Sequence, residues 1–337
     1  MIKEAIKKVT EKIDLNPQEM AIVFDEIMSG NAEKDDIKYF LLSLKAKGES
    51  PDEIAAAARI MRRKMKRVET LAENIVDTCG TGGAPINDIN VSTIVALVIA
   101  GCGVKVAKHG NVSFTGKCGS ADILEALGVN INMTPEKVAR LIDEIGIGFI
   151  FAKNFHPAMK NVAEVRKELA TRTIFNILGP LSNPAGVKMQ LLGVYESKLT
   201  EVMAEALNKL GSARAYVVHG LEGLDEISIK GETKISELKD GRVATRRVRP
   251  EDFGIKEGSL DEIRGRTREY NKEVALKILE GKDRTARRDM VLINTAAALK
   301  MAGEAKDFKE GVELAAECID SGKALEKLNR LIDESNR

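Results

Sequence analysis

Two short runs in this sequence are suited to holding an anion: Gly80-Thr81-Gly82-Gly83 and Lys108-His109-Gly110-Asn111. Each stands where a β-branched stretch (residues 75–79 and 104–107) gives way to a predicted turn, with small or hydroxylated residues and then a helix beyond. Glycines in such a turn free several backbone N–H groups to point inward, and at a helix N-terminus these make a nest for phosphate or pyrophosphate. A third feature is Asp225-Glu226, preceded by Gly220-Leu221-Glu222-Gly223-Leu224. Neighbouring side chains diverge, so this pair is ill placed to flank one substrate atom as acid and base. It suits Mg2+, which takes one or two carboxylates, keeps waters and bridges to phosphates. Next to two phosphate nests, the metal reading outweighs that of a solvated acidic loop.

The three histidines, His109, His156 and His219, all fall in turn contexts at predicted strand ends. His109 lies inside the second run and is the candidate for a site role, whereas His219 reads as shaping the turn ahead of Asp225. Arg166 and Arg172 come next in interest. A guanidinium grips a carboxylate through two parallel hydrogen bonds, worth about 1.5–3 kcal/mol for a charged pair. Either could hold an acidic acceptor, although spacing alone fits a surface arginine on an amphipathic helix equally well.

The elements that must position these residues are of two kinds. The first sixty-odd residues read as helices in series. Asn16-Pro17-Gln18-Glu19 and Ser50-Pro51-Asp52-Glu53 each supply a capping residue, a first-turn proline and an early acid. From about residue 74, short β-branched runs (104–107, 147–152, 190–195, 215–219) alternate with helical patterns near 121–127, 135–145 and 200–210. That alternation predicts an α/β fold with a mostly parallel central sheet, whose ligands bind at the carboxyl ends of the strands. The expected division is a small all-α domain, residues 1–70, joined by helices around 160–185, and a larger α/β domain, residues 71–337. Residues 230–268, mixed in charge and loop-rich, read as a surface excursion.

Composition narrows the partners. Among 337 residues, 52 Lys and Arg against 51 Asp and Glu leave a formal charge of +1, so no global field recruits nucleic acid or a membrane surface. The cysteines (Cys79, Cys102, Cys118, Cys318) form no CxxC pair and no metal-ligand spacing, which fits a reducing cytoplasm. The start of the chain lacks an apolar signal core, and the longest apolar run, residues 94–100, is too short to span a bilayer. A soluble, unexported protein is the expectation.

Taken together, the ordered motifs resemble the anthranilate phosphoribosyltransferase family almost end to end. The resemblance rests on the two glycine-bearing runs, Asn90-Val91-Ser92-Thr93, Gly119-Ser120-Ala121-Asp122, His156-Pro157-Ala158-Met159-Lys160, residues 172–184, Gly223 to Ser228 and Arg288 to Asn294. It implies transfer of the phosphoribosyl group from phosphoribosyl pyrophosphate (PRPP) to the amine of anthranilate in tryptophan biosynthesis. Carried over by position, Gly80, Thr81, Gly82, Gly83, Asn90, Ser92, Thr93, Lys108 and Ser120 would bind PRPP. Asp225, Glu226 and Ser92 would hold Mg2+. His109, Asn111, His156, Arg166 and Pro180 would line the anthranilate channel, with His109 ordering the acceptor and Arg166 meeting its carboxylate. The resemblance also implies a homodimer formed on the helical part.

Three positions depart from the family's pattern. Ala84-Pro85 replaces the usual aspartate after the first glycine run, although Asn87 and Asp88 lie in the same loop. Val112 replaces a usual arginine, and Cys118 stands where serine is common, a swap that keeps size and loses a strong donor. Two rival readings are a pyrimidine nucleoside phosphorylase and a non-catalytic, nucleic-acid-binding paralogue. The segment 166–184 argues against the first. For the second, Arg242, Arg246, Arg247 and Arg249 offer only a local basic patch, which reads more naturally as a solvated β-ribbon.

Overall fold

The computed structural model describes residues 1–86, 88–113 and 118–337; Asn87 of the first loop lies outside the described residues. Four helices open the chain, α1 (Ile2–Thr10), α2 (Pro17–Met28), α3 (Lys34–Lys47) and α4 (Pro51–Lys64). Asn16 and Ser50 both form capping boxes, with the side chains of Glu19 and Glu53 reaching back to the cap N–H groups. Glu53 is fully buried and also accepts from Leu15 N and Lys47 Nζ, which ties the start of α4 to the turn before α2.

Seven strands follow: β1 (Val76–Gly80), β2 (Val106–Gly110), β3 (Ile147–Phe151), β4 (Met189–Gly193), β5 (Arg214–Gly220), β6 (Thr233–Lys239) and β7 (Arg242–Val248). They form one sheet in the order β3-β2-β1-β4-β5-β6-β7, parallel through β5 and antiparallel at the β6–β7 edge. The chain therefore runs outward from β1 to β3, then returns to build β4 and β5 on the other side of β1. Connections leave β1 and β4 in opposite directions, which opens a crevice beyond their carboxyl ends. The remaining helices are α5 (Val91–Gly101), α6 (Ser120–Ala126), α7 (Pro135–Ile145), α8 (Ala152–Phe155), α9 (Lys160–Leu169), α10 (Phe175–Leu178), α11 (Leu199–Lys209), α12 (Arg268–Leu279), α13 (Ala286–Ala302), α14 (Phe308–Asp320) and α15 (Lys323–Asn336).

Two hydrophobic cores share the sheet. Tyr216 and Val218 of β5 face one core, with α5, α7 and α12 to α15, while Ala215 and Val217 face the other. That second core also contains the apolar side of α1 to α4, Val162 and Val165 of α9, Phe175 and Ile177 of α10, and Leu207 of α11. The period-2 alternation of β5 thus lets one strand serve both layers. Among the described residues no helix is long and apolar enough to cross a membrane.

Two sequence expectations change. Lys108, His109 and Gly110 complete β2 instead of forming a turn, because parallel pairing places Lys108 opposite Phe149 and His109 opposite Ile150 of β3. His219 lies near the end of β5, as the expected strand 215–219 places it. Residues 230–268 are a loop excursion only in part: β6 and β7 make an edge ribbon of the sheet, as read for the basic patch, and residues 254–267 are irregular. Its basic patch is matched by acids: Arg247 and Arg249 both pair with Glu232, at 2.7 and 2.9 Å.

Paired glycines let the site loop lie against the strand ends. Gly80 and Gly193 are register partners in β1 and β4. A Cβ on Gly193 would fall 1.5 Å from the Asp225 carbonyl oxygen, and one on Gly80 would fall 2.7 Å from Asp225 Oδ2. Gly193→Ala must therefore push the 225–226 loop off the sheet, and we expect a loss of about 1–3 kcal/mol in urea unfolding. An unchanged midpoint would show that the close approach is unimportant.

Candidate functional site

The loop after β1 turns through Gly82 and Gly83, whose φ values of 66° and 74° lie in the left-handed region that glycine adopts without strain. Thr81 pins it to the neighbouring strand, donating its N–H to Gly193 O (2.9 Å) and accepting from Tyr195 N at Oγ1 (3.1 Å). Beyond the loop, Asn90 takes a left-handed conformation (φ 63°) and starts α5. The first N–H groups there already meet carboxylates: Asp88 Oδ1 accepts from Asn90 N (2.7 Å) and Val91 N (3.1 Å), and Glu226 Oε1 accepts from Ser92 N (3.1 Å). Thr93 Oγ1 is buried and has no hydrogen-bond partner among the described residues.

Lys108 runs beneath this helix start. Its ammonium is buried and donates to Thr78 O (2.7 Å) and Ser92 Oγ (3.4 Å). Burial pulls its pKa down, and the charges of Asp77, Cys79, Glu226 and Asp88 push back. The carboxylates respond in the opposite sense. Burial raises Asp77 to about 6 against the pull of Lys108. Asp88 and Asp225 are half-buried in the cleft wall, yet enough protein surrounds them for desolvation to raise both, Asp88 to about 7 with help from the Asp225 charge. Glu226 goes well up, through burial first and then through Asp88 and Asp225. One buried ammonium thus faces more negative charge than it neutralises.

Asp77 links this region to the histidines. Its Oδ1 accepts from His109 N (3.1 Å), and its Oδ2 accepts from Asn183 Nδ2 (2.8 Å), which also donates to Ala107 O (2.8 Å). His109 and His156 meet Nε2 to Nε2 at 3.2 Å. The His109 ring also donates to the Gly179 carbonyl, which uses its Nδ1 proton and leaves Nε2 as the acceptor. His156 is then assigned the proton on Nε2. Burial holds both rings neutral, His109 well below its ordinary value and His156 at about 4. Arg166, on α9, lies 5.8 Å from the Phe175 ring centre, and burial lowers its pKa.

Lys108, the two histidines, Arg166 and the carboxylates of Asp88, Asp225 and Glu226 border one cleft of about 1330 Å3 between the sheet's carboxyl edge and the helices, with Asp77 and Asn183 lying behind its wall. Each site residue expected from sequence lines it: Gly80, Thr81, Gly82, Gly83, Asn90, Ser92, Thr93, Lys108 and Ser120; His109, Asn111, His156, Arg166 and Pro180; Asp225 and Glu226. Asp225 and Glu226 diverge as neighbours must, one toward Gly80 and the other toward Ser92. Among the described residues no three His, Cys, Asp or Glu side chains converge into a closed metal cage. An incomplete set of hard oxygen donors with uncompensated charge suits an ion that completes its shell with waters and phosphate oxygens.

Sequence reasoning passed over several lining residues. Asn271 donates from Nδ2 to Asn90 Oδ1 (2.8 Å) and accepts from Arg266 N (2.9 Å), so the segment before α12 returns to the cleft. Arg172, offered by the sequence alongside Arg166 for an acidic acceptor, instead donates to the Gly83 carbonyl from the turn between α9 and α10. Nothing in their local sequence marks Asn271 or Arg266. Cys118, at the rim, has its thiol pushed up to about 11 by burial, which leaves it protonated and inert.

Comparison with known proteins gives a consistent picture. The glycosyl transferase family helical bundle domain matches residues 3–65, and the glycosyl transferase family a/b domain matches residues 72–325. The chain is 54% identical over 336 residues to an anthranilate phosphoribosyltransferase from Persephonella marina, covering 99% of each sequence. It is 47% identical to one from Thermoanaerobacter sp., covering 100% of this chain and 99% of the relative. The crystal structure of anthranilate phosphoribosyltransferase from Thermus thermophilus has a TM-score of 0.93 at 40% identity over 99% of both chains. The Saccharomyces cerevisiae enzyme in complex with PRPP and Mg has a TM-score of 0.90 at 29% identity, covering 99% of this chain and 98% of that one.

The histidine pair generates a pH prediction. With its folded pKa near 4 and an unfolded value of 6.5, His156 binds its proton in the unfolded chain first. Stability is therefore fully present above pH 6.5 and lost as pH falls toward 4. His156→Gln should lose less stability than the wild type across that window, by up to about 3 kcal/mol. Chemical denaturation at several pH values checks this, and parallel curves for the two proteins would refute it.

Proposed function

This chain belongs to the anthranilate phosphoribosyltransferase family, and from that premise we infer that it transfers the phosphoribosyl group of PRPP to the amine of anthranilate. The products are phosphoribosyl-anthranilate and pyrophosphate, in tryptophan biosynthesis. The observation that carries the inference is the cleft itself, which sets a phosphate nest and three carboxylates beside a neutral histidine pair and a half-buried arginine.

The assignment of residues is our proposal. Gly80 to Gly83 and the start of α5 (Asn90, Ser92, Thr93), with Lys108 and Ser120, bind the donor. The Thr93 hydroxyl, without a partner among the described residues, and the left-handed glycines are the features that support it. Asp225, Glu226 and the Ser92 hydroxyl would hold Mg2+, which when bound would supply positive charge beside the leaving pyrophosphate. His109, Asn111, His156, Arg166 and Pro180 receive anthranilate. The anthranilate nitrogen attacks C1′ as the C1′–O bond to pyrophosphate breaks, and the nitrogen then loses a proton. Because the leaving group is good and the aniline nitrogen is nucleophilic without prior deprotonation, the burden falls on alignment and on preorganised charge. With both of its N–H groups engaged, the neutral His109–His156 pair has the Nδ1 lone pair of His156 as the acceptor it can offer the amine. Arg166 grips the carboxylate. The reading includes a helical unit, residues 1–70 with the helices around 160–185, and an α/β unit, residues 71–337. It also includes a cytoplasmic location and a homodimer on the helical unit, where Tyr39 and Leu42 of α3 are exposed.

Mixing the protein with PRPP, Mg2+ and anthranilate should quench anthranilate fluorescence only when donor is present; no donor-dependent loss would refute the activity. Arg166→Ala should raise the anthranilate KM about tenfold to a hundredfold through loss of a charged pair. Asp225→Ala combined with Glu226→Ala should abolish Mg2+-dependent turnover, and wild-type rates in that variant would sink the metal assignment.

A further inference from the structure

We propose that Arg172 is a positioning residue for the donor: it clamps the glycine loop against the end of β4 and so fixes the backbone N–H groups that receive pyrophosphate. The inference deepens the transferase reading and rests on it.

Four contacts close a ring around the loop. The Arg172 guanidinium donates from Nη2 to the Gly83 carbonyl. Its plane lies over the Tyr195 ring, with Cζ 4.2 Å from the centroid. Tyr195 N donates to Thr81 Oγ1 (3.1 Å), and Thr81 N donates to Gly193 O (2.9 Å). The guanidinium edge lies flat along Gly83, since a Cβ there would sit 3.1 Å from Nη2 and 3.2 Å from Nε. A planar fork that stacks on one face and donates from its edge is a job for arginine and not for lysine. The Arg172 charge also reaches Asp225, on the donor side of the cleft.

Origin matters as much as contact. Arg172 leaves a turn whose flanking side chains, Val165 and Ile174, are buried in the same core as α1 to α4. The glycine loop belongs to the sheet. Arg172 thus crosses the cleft from the helical side to the donor loop, while Arg166, on the helix just before it, stays beside Phe175. The two arginines divide the work that sequence alone would allow either to do.

The test separates donor from acceptor. Calorimetry with pyrophosphate and Mg2+ should show about tenfold weaker binding for Arg172→Ala, the scale of one charge-assisted hydrogen bond. The donor KM should rise with it, and the anthranilate KM should stay within about twofold of wild type. Added guanidinium ion should restore part of the loss, and Arg172→Lys should not. Tyr195→Leu, which removes the stacking face and keeps the arginine, should weaken pyrophosphate binding in the same direction should Arg172→Ala fold poorly. A rise in anthranilate KM with unchanged pyrophosphate affinity would make Arg172 an acceptor ligand and overturn the proposal. So would full recovery in Arg172→Lys, or no change in pyrophosphate binding for either variant. Because pyrophosphate binding is read without acceptor, absence of wild-type turnover would instead count against the transferase reading.

Discussion

A single buried ammonium governs the geometry of this cleft. Lys108, at the centre of β2, has its charge sealed under α5, where desolvation costs it several kcal/mol unless neighbouring oxygens compensate. The Thr78 carbonyl, the Ser92 hydroxyl and the carboxylates of Asp77, Glu226 and Asp88 do so. That requirement draws β1, β2, the helix start and the 225–226 loop to one point. Burial outweighs that compensation: it holds the Asp225 and Glu226 carboxyls above their ordinary range, and the charges of Asp88 and Asp225 add to the rise at Glu226. Under the proposed function, a metal beside these carboxylates and an anion in the nest would each favour the other's binding.

Close approach is the second constraint. The strand ends carry glycine at register partners 80 and 193, which lets the Asp225 backbone lie directly on the sheet. Across the cleft, Asn183 reaches from the segment after α10 to Asp77 and the Ala107 carbonyl, and Arg172 reaches to Gly83. Donor-side and acceptor-side groups are thus held by buried polar links and not by exposed loops alone. Such links are strong where every partner is satisfied.

Legibility of the site in the sequence follows from how local each cause is. Glycines with positive φ and the boxed caps at Asn16 and Ser50 act over three or four residues, so their patterns are visible in the chain. The Lys108-His109-Gly110 run was expected as a turn because its residues are polar. It extends β2 because β3 pairs alongside and Asp77 accepts the His109 N–H, both set by distant chain. Asn271, Arg266 and Asn183 act on the cleft through register between segments far apart in sequence, and no local spacing encodes that. Arg172 could be singled out as a guanidinium suited to an acidic partner, but its assignment to the glycine loop needed the position of Tyr195.

The most direct test of the account is a calorimetric titration of Mg2+ with and without pyrophosphate, and of pyrophosphate with and without Mg2+. If the raised carboxylates and the nest form one electrostatic unit, each ligand must tighten the other by the same factor, about tenfold or more. Mg2+ affinity that is indifferent to pyrophosphate would contradict it, and the cleft would then hold two independent sites.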